Sequence, residues 1–291
     1  MAFEVFFVPL HPNCARRGFF YVPAHKKCRS VKIKQVLEAL ERFAPLPLQE
    51  SWDNAGLQIG LTEADVSGAL LCLDVNEQMI DEAVRKGCNV VVSHHPLLFR
   101  GLKQVADMND VQRTVRQAIK HDICVISMHT NMDNARGGVN WKIAEKLGLS
   151  DVTFFAKKTV GDVEGGSGIT GILAEPMGAE AFIQKVKSTF GAKCAQCNQL
   201  LQRPVKKVAV CGGAGDFLLD DAIREGADAF ITGEMHYHQY FGYEQQIQIC
   251  VIGHYETEQF TAEIFRDIIR QACPGVKAEI AETTTNPINY Y

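Results

Sequence analysis

Two adjacent histidines, His94 and His95, close a run of three valines in the stretch NVVVSHHPLLFRG. An imidazole offers a lone pair to a metal ion and carries a proton near neutral pH, so a pair of them suits either a metal site or a hydrogen-bonded strand end. Neighbouring side chains of an unbroken strand point to opposite faces, so the two rings can converge only where the backbone turns. Pro96 cannot continue a ladder and supports such a turn. Residues of the same chemistry recur after three further apolar runs: His129 with Asp133, Glu234 with His236 and His238, and His254 with Glu258. Singly, each has a plainer use. His129 could cap a strand, His236 and His238 could be surface groups, and Glu258 could be an acid favoured at a helix N-terminus. Taken together at successive strand ends, they point to one shared metal site. With a helix starting near Glu256, His254 and Glu258 lie one turn apart and face the same point. Mixed imidazole and carboxylate donors suit Zn, Mn, Fe or Ni better than an all-oxygen calcium cage. A carboxylate can bridge two ions about 3.5 to 4 Å apart, so three histidines and two carboxylates are enough for a pair.

The elements that must position these residues read as alternating strands and helices. Helical spacing of Ile33, Val36, Leu37, Leu40 and Phe43 predicts a first helix that Pro45 closes, and ESWDNAGLQIG then forms a polar turn around Trp52, Asp53 and Asn54. Strands are expected at 69–75, 90–92, 123–128, 169–174, 208–211, 229–232, 249–252 and 276–280. Helices are expected at 77–86, 111–120, 139–147, 179–190, 217–225 and 259–271. Alternation of this kind predicts an α/β fold with mainly parallel sheets and crossover helices. The polar, glycine-rich KKTVGDVEGGSG, residues 157–168, reads as a short linker loop between a first α/β lobe at 31–156 and a second at 169–291. The segment CGGAGD follows a strand and opens a helix, but it lacks the spacing of a dinucleotide fingerprint and the Lys-Ser/Thr of a P-loop. Close strand-to-helix packing accounts for it.

Composition narrows the class. Of 291 residues, 46% are hydrophobic and 22% charged, enough apolar material for a large core or two lobes. A net charge of −4 gives no general attraction to phosphate backbones, so direct nucleic-acid binding is not expected. No apolar run reaches the length needed to span a membrane. Ten cysteines, most of them spread singly through the elements, suggest a reducing, cytoplasmic setting. Cys194 and Cys197 form a CxxC without a second pair or a nearby histidine to complete a zinc site, which reads as coincidence. Residues 1–30 stand apart as an extra N-terminal arm with late basic residues, transit-like, disordered or a non-native extension.

Across residues 31–291 the chain resembles the Nif-three-like family, named for NGG-one-interacting factor three, whose members are also called type-two GTP cyclohydrolase homologues. The motifs SWDNAGLQIG, VVSHHPLLFRG, HTNMDNARGGVN, AVCGGAGD, TGEMHYH and VIGHYETEQF carry the resemblance. It implies two related α/β lobes, a dinuclear metal centre in the cleft between them, and assembly into homodimers or homohexamer rings. By motif, the resemblance assigns His94, His95, Asp133, His254 and Glu258 as metal ligands, with Glu258 as the bridge. His129 and His238 become candidates for substrate contact or proton transfer. The implied activity is metal-dependent hydrolysis of a small molecule, with a nucleotide and the opening of a purine ring among the options. A metal-loaded regulatory or scaffold protein is the alternative. Two departures stand out: Glu234 occupies a position where many members have aspartate, and the inserted domain of larger members is absent near 157–168.

Overall fold

The computed structural model describes residues 30–291, and the expectations for the N-terminal arm fall, up to residue 29, outside the described residues. Helix α1 (Ile33–Phe43) buries Ile33, Val36 and Leu40 on one side, as their spacing requires. A 3-10 turn (Leu46–Leu48) leads into β1 (Gly56–Ile59). Next come β2 (Ala69–Cys72), α2 (Glu77–Lys86), β3 (Val90–Ser93), α3 (Asp110–Lys120) and β4 (Cys124–Ser127). The N-cap side chains of Asn76 and Asn109 accept the backbone N–H groups of Met79 and Gln112, which fixes where α2 and α3 begin. One-turn α4 (Thr130–Asn134) and α5 (Val139–Leu147) follow. The chain continues through β5 (Ser150–Val160), β6 (Val163–Met177), α6 (Ala179–Phe190), β7 (Gln196–Cys197) and β8 (Val205–Cys211). A 3-10 turn (Asp216–Leu218), α7 (Leu219–Arg224), β9 (Ala229–Thr232) and a second such turn (Tyr237–Tyr240) come next. The chain closes with β10 (Gln248–Val251), one-turn α8 (His254–Glu258), α9 (Thr261–Ala272) and β11 (Ala278–Ile280).

These strands form two sheets, one in the order β1-β4-β3-β2-β11 and the other in the order β5-β6-β8-β9-β10-β7. In the first, β11, β2, β3 and β4 run parallel and β1 is antiparallel at the edge. Both faces are covered, so β2, β3 and β4 are buried at every position, as their unbroken apolar runs anticipated. The central cluster takes one face of each sheet, through Leu71, Val92, Val210 and Ile231, and joins them through α1, α5, α6 and α9. Helices α2 and α3 cover the other face of the first sheet, and α7 that of the second.

Two boundaries differ from the expectation. Residues 157–168 are not a linker loop: they are the paired arms of the β5–β6 hairpin, with Lys157 opposite Gly166 and Phe155 opposite Gly168. Their glycines serve close packing. A Cβ on Gly165 would lie 2.6 Å from the Asn134 carbonyl oxygen, and one on Gly168 would lie 2.4 Å from the Phe155 ring. The second unit is also not the continuous 169–291, because β11 leaves it and pairs in parallel with β2. The second sheet is mixed, with a parallel core of β8, β9 and β10 flanked by antiparallel β5, β6 and β7. In the CxxC segment, Cys197 sits on β7 directly opposite Cys250, and Cys194 is exposed.

Register decides where the chemistry can gather. Cys72, Ser93 and Ser127 lie level across the first sheet, so the chain leaves three parallel strands at one edge. Cys211, Thr232 and Val251 lie level in the second. Open α/β sheets bind ligands at such carboxyl-terminal edges.

Candidate metal centre

The backbone turn at the paired histidines is visible in the hydrogen bonds. The N–H groups of His94 and His95 both donate to the Leu73 carbonyl, at 3.1 and 3.0 Å, and the Ser93 hydroxyl donates to the His95 carbonyl. This breaks strand alternation and brings the two rings to the same side, with centroids 5.0 Å apart. After β4, the N–H groups of Met132 and Asp133 close a turn on the His129 carbonyl, which carries the Asp133 carboxylate back to His94. After β10, α8 places His254 and Glu258 one turn apart.

Five side chains meet there. Glu258 Oε2 lies 2.9 Å from His95 Nε2 and 3.1 Å from His254 Nε2, and those two nitrogens are 3.2 Å apart. Glu258 Oε1 lies 3.7 Å from His94 Nε2, which is 3.6 Å from Asp133 Oδ1. His95, His254 and Glu258 form one group able to hold a metal ion, and His94, Asp133 and Glu258 form another. Glu258 belongs to both, one oxygen toward each. All five residues assigned as ligands from the sequence are thus brought together. Gly213, in the CGGAGD segment, makes room for them: it adopts φ +61°, and a Cβ there would lie 2.3 Å from Glu258 Oε1. Its N–H donates to the Thr257 hydroxyl and fixes the α8 turn against the loop.

The outer nitrogen of each ring sets the tautomer of the inner one. His94 Nδ1 lies 2.8 Å from the Met128 carbonyl, which can only accept, so in the neutral ring the proton sits there and Nε2 presents its lone pair. His95 Nδ1 donates in the same way to Asp74 at 2.7 Å, His254 Nδ1 to Glu234 at 3.0 Å, and His129 Nδ1 to Asp53 at 2.7 Å. Lone pairs therefore face carboxylate oxygens, an arrangement that needs positive charge between them. His94 Nε2 and Asp133 Oδ1 are buried with no hydrogen-bond partner, which is costly for polar atoms unless a cation satisfies them. The residues fit a metal ion on that ground.

The protonation behaviour agrees. Burial disfavours a charged ring at His95, but the Asp74 and Glu258 carboxylates, which accept hydrogen bonds from its two N–H groups, outweigh it and hold the pKa up at about 10. His254 is held up at about 9, again against burial, by Glu258. His94, wholly enclosed, is pushed down by burial. Burial also raises Asp133 well above the usual carboxylate range, with Glu258 adding to it. For Glu258 burial acts in the same direction, yet the surrounding histidines hold it well below that range. The cluster attracts protons where a cation would sit, and metal binding would displace them.

His129 borders the cluster and forms a third group with His94 and His95. Its partner Asp53 also accepts the Thr130 N–H; burial would raise the Asp53 carboxyl, but the His129 and Thr130 contacts bring it down to about 2. His238 is not brought in. It stands on the exposed turn 237–240 with its ring against Tyr237 and Phe241, and neighbouring His236 bonds Asp216 instead. The residue missed in the sequence is Asp74, the acid that ends the apolar run ALLCLD and carries the same strand-end signal as the histidines. The centre opens onto a cleft of about 480 Å³, bordered by His95, His129, Asp133, His254 and Glu258 and by Trp52, Pro96, Phe99 and Phe217.

Comparison with known proteins agrees with the motifs. A family model described as Duf34/NIF3 (NGG1p interacting factor 3) matches residues 31–287. A Clostridium perfringens protein named GTP cyclohydrolase 1 type 2 homolog is 34% identical over 229 residues, covering 78% of this chain and 87% of the relative. A Lactococcus lactis protein of the same name is 31% identical over 264 residues, 88% of this chain and 98% of the relative. Among solved structures, a hypothetical protein of Staphylococcus aureus superposes with a TM-score of 0.82 at 26% identity, over 89% of this chain and 99% of its own. A Bacillus cereus protein related to NIF3 shares the fold with a TM-score of 0.81 at 24% identity, over 90% of this chain and 100% of its own. Among the described residues, no helix is long and apolar enough to cross a membrane.

Proposed function

The chain belongs to the Duf34/NIF3 family, and from that premise we propose that it is a hydrolase with two divalent metal ions, acting on a C–N bond of a small cyclic molecule. The observation that carries this is Glu258, which turns one oxygen to each of two donor groups while His94 Nε2 and Asp133 Oδ1 lie buried without partners. His95, His254 and Glu258 would hold one ion, and His94, Asp133 and Glu258 the other. What a pair of Zn, Mn, Fe or Ni ions supplies in such a site is Lewis acidity and a more acidic water.

The protein's own groups supply the rest. Asp74, Glu234 and the Met128 carbonyl keep three imidazoles in the tautomer that points Nε2 inward. His129, held by Asp53 through Nδ1, presents Nε2 to the cleft and takes a proton from the attacking water. The water oxygen bonds to the ring carbon, the C–N bond breaks, and the nitrogen leaves with the proton returned by His129. Asp53 stabilises the charged ring between those two transfers, the part a buried carboxylate plays beside a catalytic histidine. The accessible cleft lies within the usual range for small-molecule sites, about 300 to 1,000 Å³, and supports turnover over the metal-loaded scaffold.

The test is His129→Gln in metal-loaded protein, assayed on cyclic amides and amidines. Metal content should stay at the wild-type value while kcat falls roughly 100-fold or more, the scale of a lost general base. A variant with full activity would remove His129 from the chemistry, and one without metal would make it a ligand.

A further inference from the structure

We infer that the cleft takes a flat, uncharged heterocycle, a free base or nucleoside rather than a nucleoside triphosphate. The inference rests on the hydrolase reading above for the chemistry, but on different residues for recognition. Trp52, Phe99 and Phe217 border the cleft together, with 59%, 47% and 62% of their surfaces exposed, an apolar patch at the mouth of the polar centre. Trp52 and Phe99 come from first-sheet loops, with ring centroids 5.9 Å apart, and both stand near-perpendicular to the His129 ring, at 6.0 and 6.2 Å. Phe217 comes from the loop that follows β8 of the second sheet. Aromatic side chains from both sheets thus border the opening beside a polar floor, a lining against which a planar ring can stack while its edge meets the catalytic groups.

Outside the metal centre, whose ions would themselves attract phosphate oxygens, the described residues of the lining include no group built to hold a phosphate chain. Among the described residues, no lysine or arginine lines the cleft, whereas Glu50, Asp133 and Glu258 do. Lys158 approaches from β5 but ends on Glu50, at 2.7 Å, and on the Leu48 carbonyl, at 3.1 Å. Arg136 is engaged with Glu164. Sites that bind phosphate chains surround them with arginine, lysine or helix N-terminal N–H groups, and beyond the histidines and carboxylates of the metal centre this lining offers Glu50 and aromatic rings. The name shared by the relatives contains GTP; the aromatic lining of this cleft fits the base of that molecule, and among the described residues no lysine or arginine in it reaches for the phosphate chain.

Isothermal titration calorimetry of the metal-loaded full chain decides the matter. The probes are guanine, guanosine, a pterin and a cyclic ureide, each at millimolar concentration, with GTP as the charged counterpart, against wild type, Trp52→Ala and Phe217→Ala. At least one neutral ring should bind, tighter than GTP by tenfold or more. Each alanine variant should weaken it about 5- to 100-fold, the range for loss of one stacking partner, with metal content and oligomeric state unchanged. Binding of no neutral ring, GTP binding as tightly as guanosine, or variants that bind normally would each overturn the inference. So would variants whose one change is the oligomeric state, which would make the aromatics an interface between copies. If the neutral ring binds with the stated aromatic dependence but no C–N bond is cut, the hydrolase reading fails and the recognition stands. Ring cleavage untouched by the aromatic substitutions would leave the hydrolase standing and overturn the recognition.

Discussion

The carboxylate of Asp74, 2.7 Å from His95 Nδ1, decides which nitrogen of that ring keeps its proton and so which is free to bind metal. Asp74→Asn preserves the size of the side chain and removes its charge. Metal affinity should fall roughly 10- to 100-fold, measured by competition with a chelating dye, with the circular dichroism spectrum unchanged; equal affinity would mean that the Leu73 turn alone orients the ring. At this scale the sequence was half legible. Strand ends marked His94, His95, His129, Asp133, Glu234, His236, His238, His254 and Glu258 alike, because a sheet sets strand ends side by side, and the motif resemblance narrowed these to five ligands. Their partners were hidden because pairing is long-range: His129 finds Asp53 and His254 finds Glu234 only once two loops are folded against each other. His238 misled for the converse reason. Nothing local distinguishes it from a site residue, and the turn 237–240 carries it outward.

Two one-turn helices, α4 and α8, carry three of the five ligands, Asp133, His254 and Glu258, and neither is long enough to be stable alone. Each is fixed by a glycine-bearing neighbour: β6 supports α4 and the loop after β8 supports α8. The glycine-rich segment 157–168 therefore looked like a linker in the sequence and is a strand pair, because its composition reports close approach to Asn134 and Phe155 rather than freedom of the chain. Replacing Gly165 by Ala tests this. Its Cβ would meet the Asn134 carbonyl at 2.6 Å, backbone against which no side chain can yield. The expected cost is about 1 to 3 kcal/mol in denaturant unfolding, as for an overpacked core. Weakened metal binding should accompany it, because Asn134 adjoins Asp133 on α4; a variant as stable as wild type would show that the contact relaxes freely.

At the scale of the whole molecule, the C-terminal segment ties the first sheet to the site. Strand β11 completes that sheet, and beyond it the N–H groups of Glu282 and Thr283 donate to the buried Glu82 carboxylate at 2.8 and 3.1 Å. The Thr285 hydroxyl then donates to Asp74. This closure joins residues some 200 apart in sequence, which is why the sequence alone suggested a second lobe running on to residue 291. Burial would raise the Glu82 carboxyl, but those N–H groups and Lys86 bring it down to about 2 from 4.5. A carboxyl lowered by folding stabilises the native state above its unfolded pKa, and the gain is lost as pH falls through its folded value. Urea unfolding from pH 6 down to pH 2 should therefore show a loss on the order of 1 to 2 kcal/mol, after allowance for solvent screening, that Glu82→Gln lacks. Equal pH dependence in both proteins would place the effect elsewhere. The central claim is the pair of ions joined by Glu258, and anomalous scattering from crystals grown with manganese tests it most directly. Two peaks about 3.5 to 4 Å apart, one on each side of the Glu258 carboxylate, are expected. A single peak, or none at these five side chains, would contradict it.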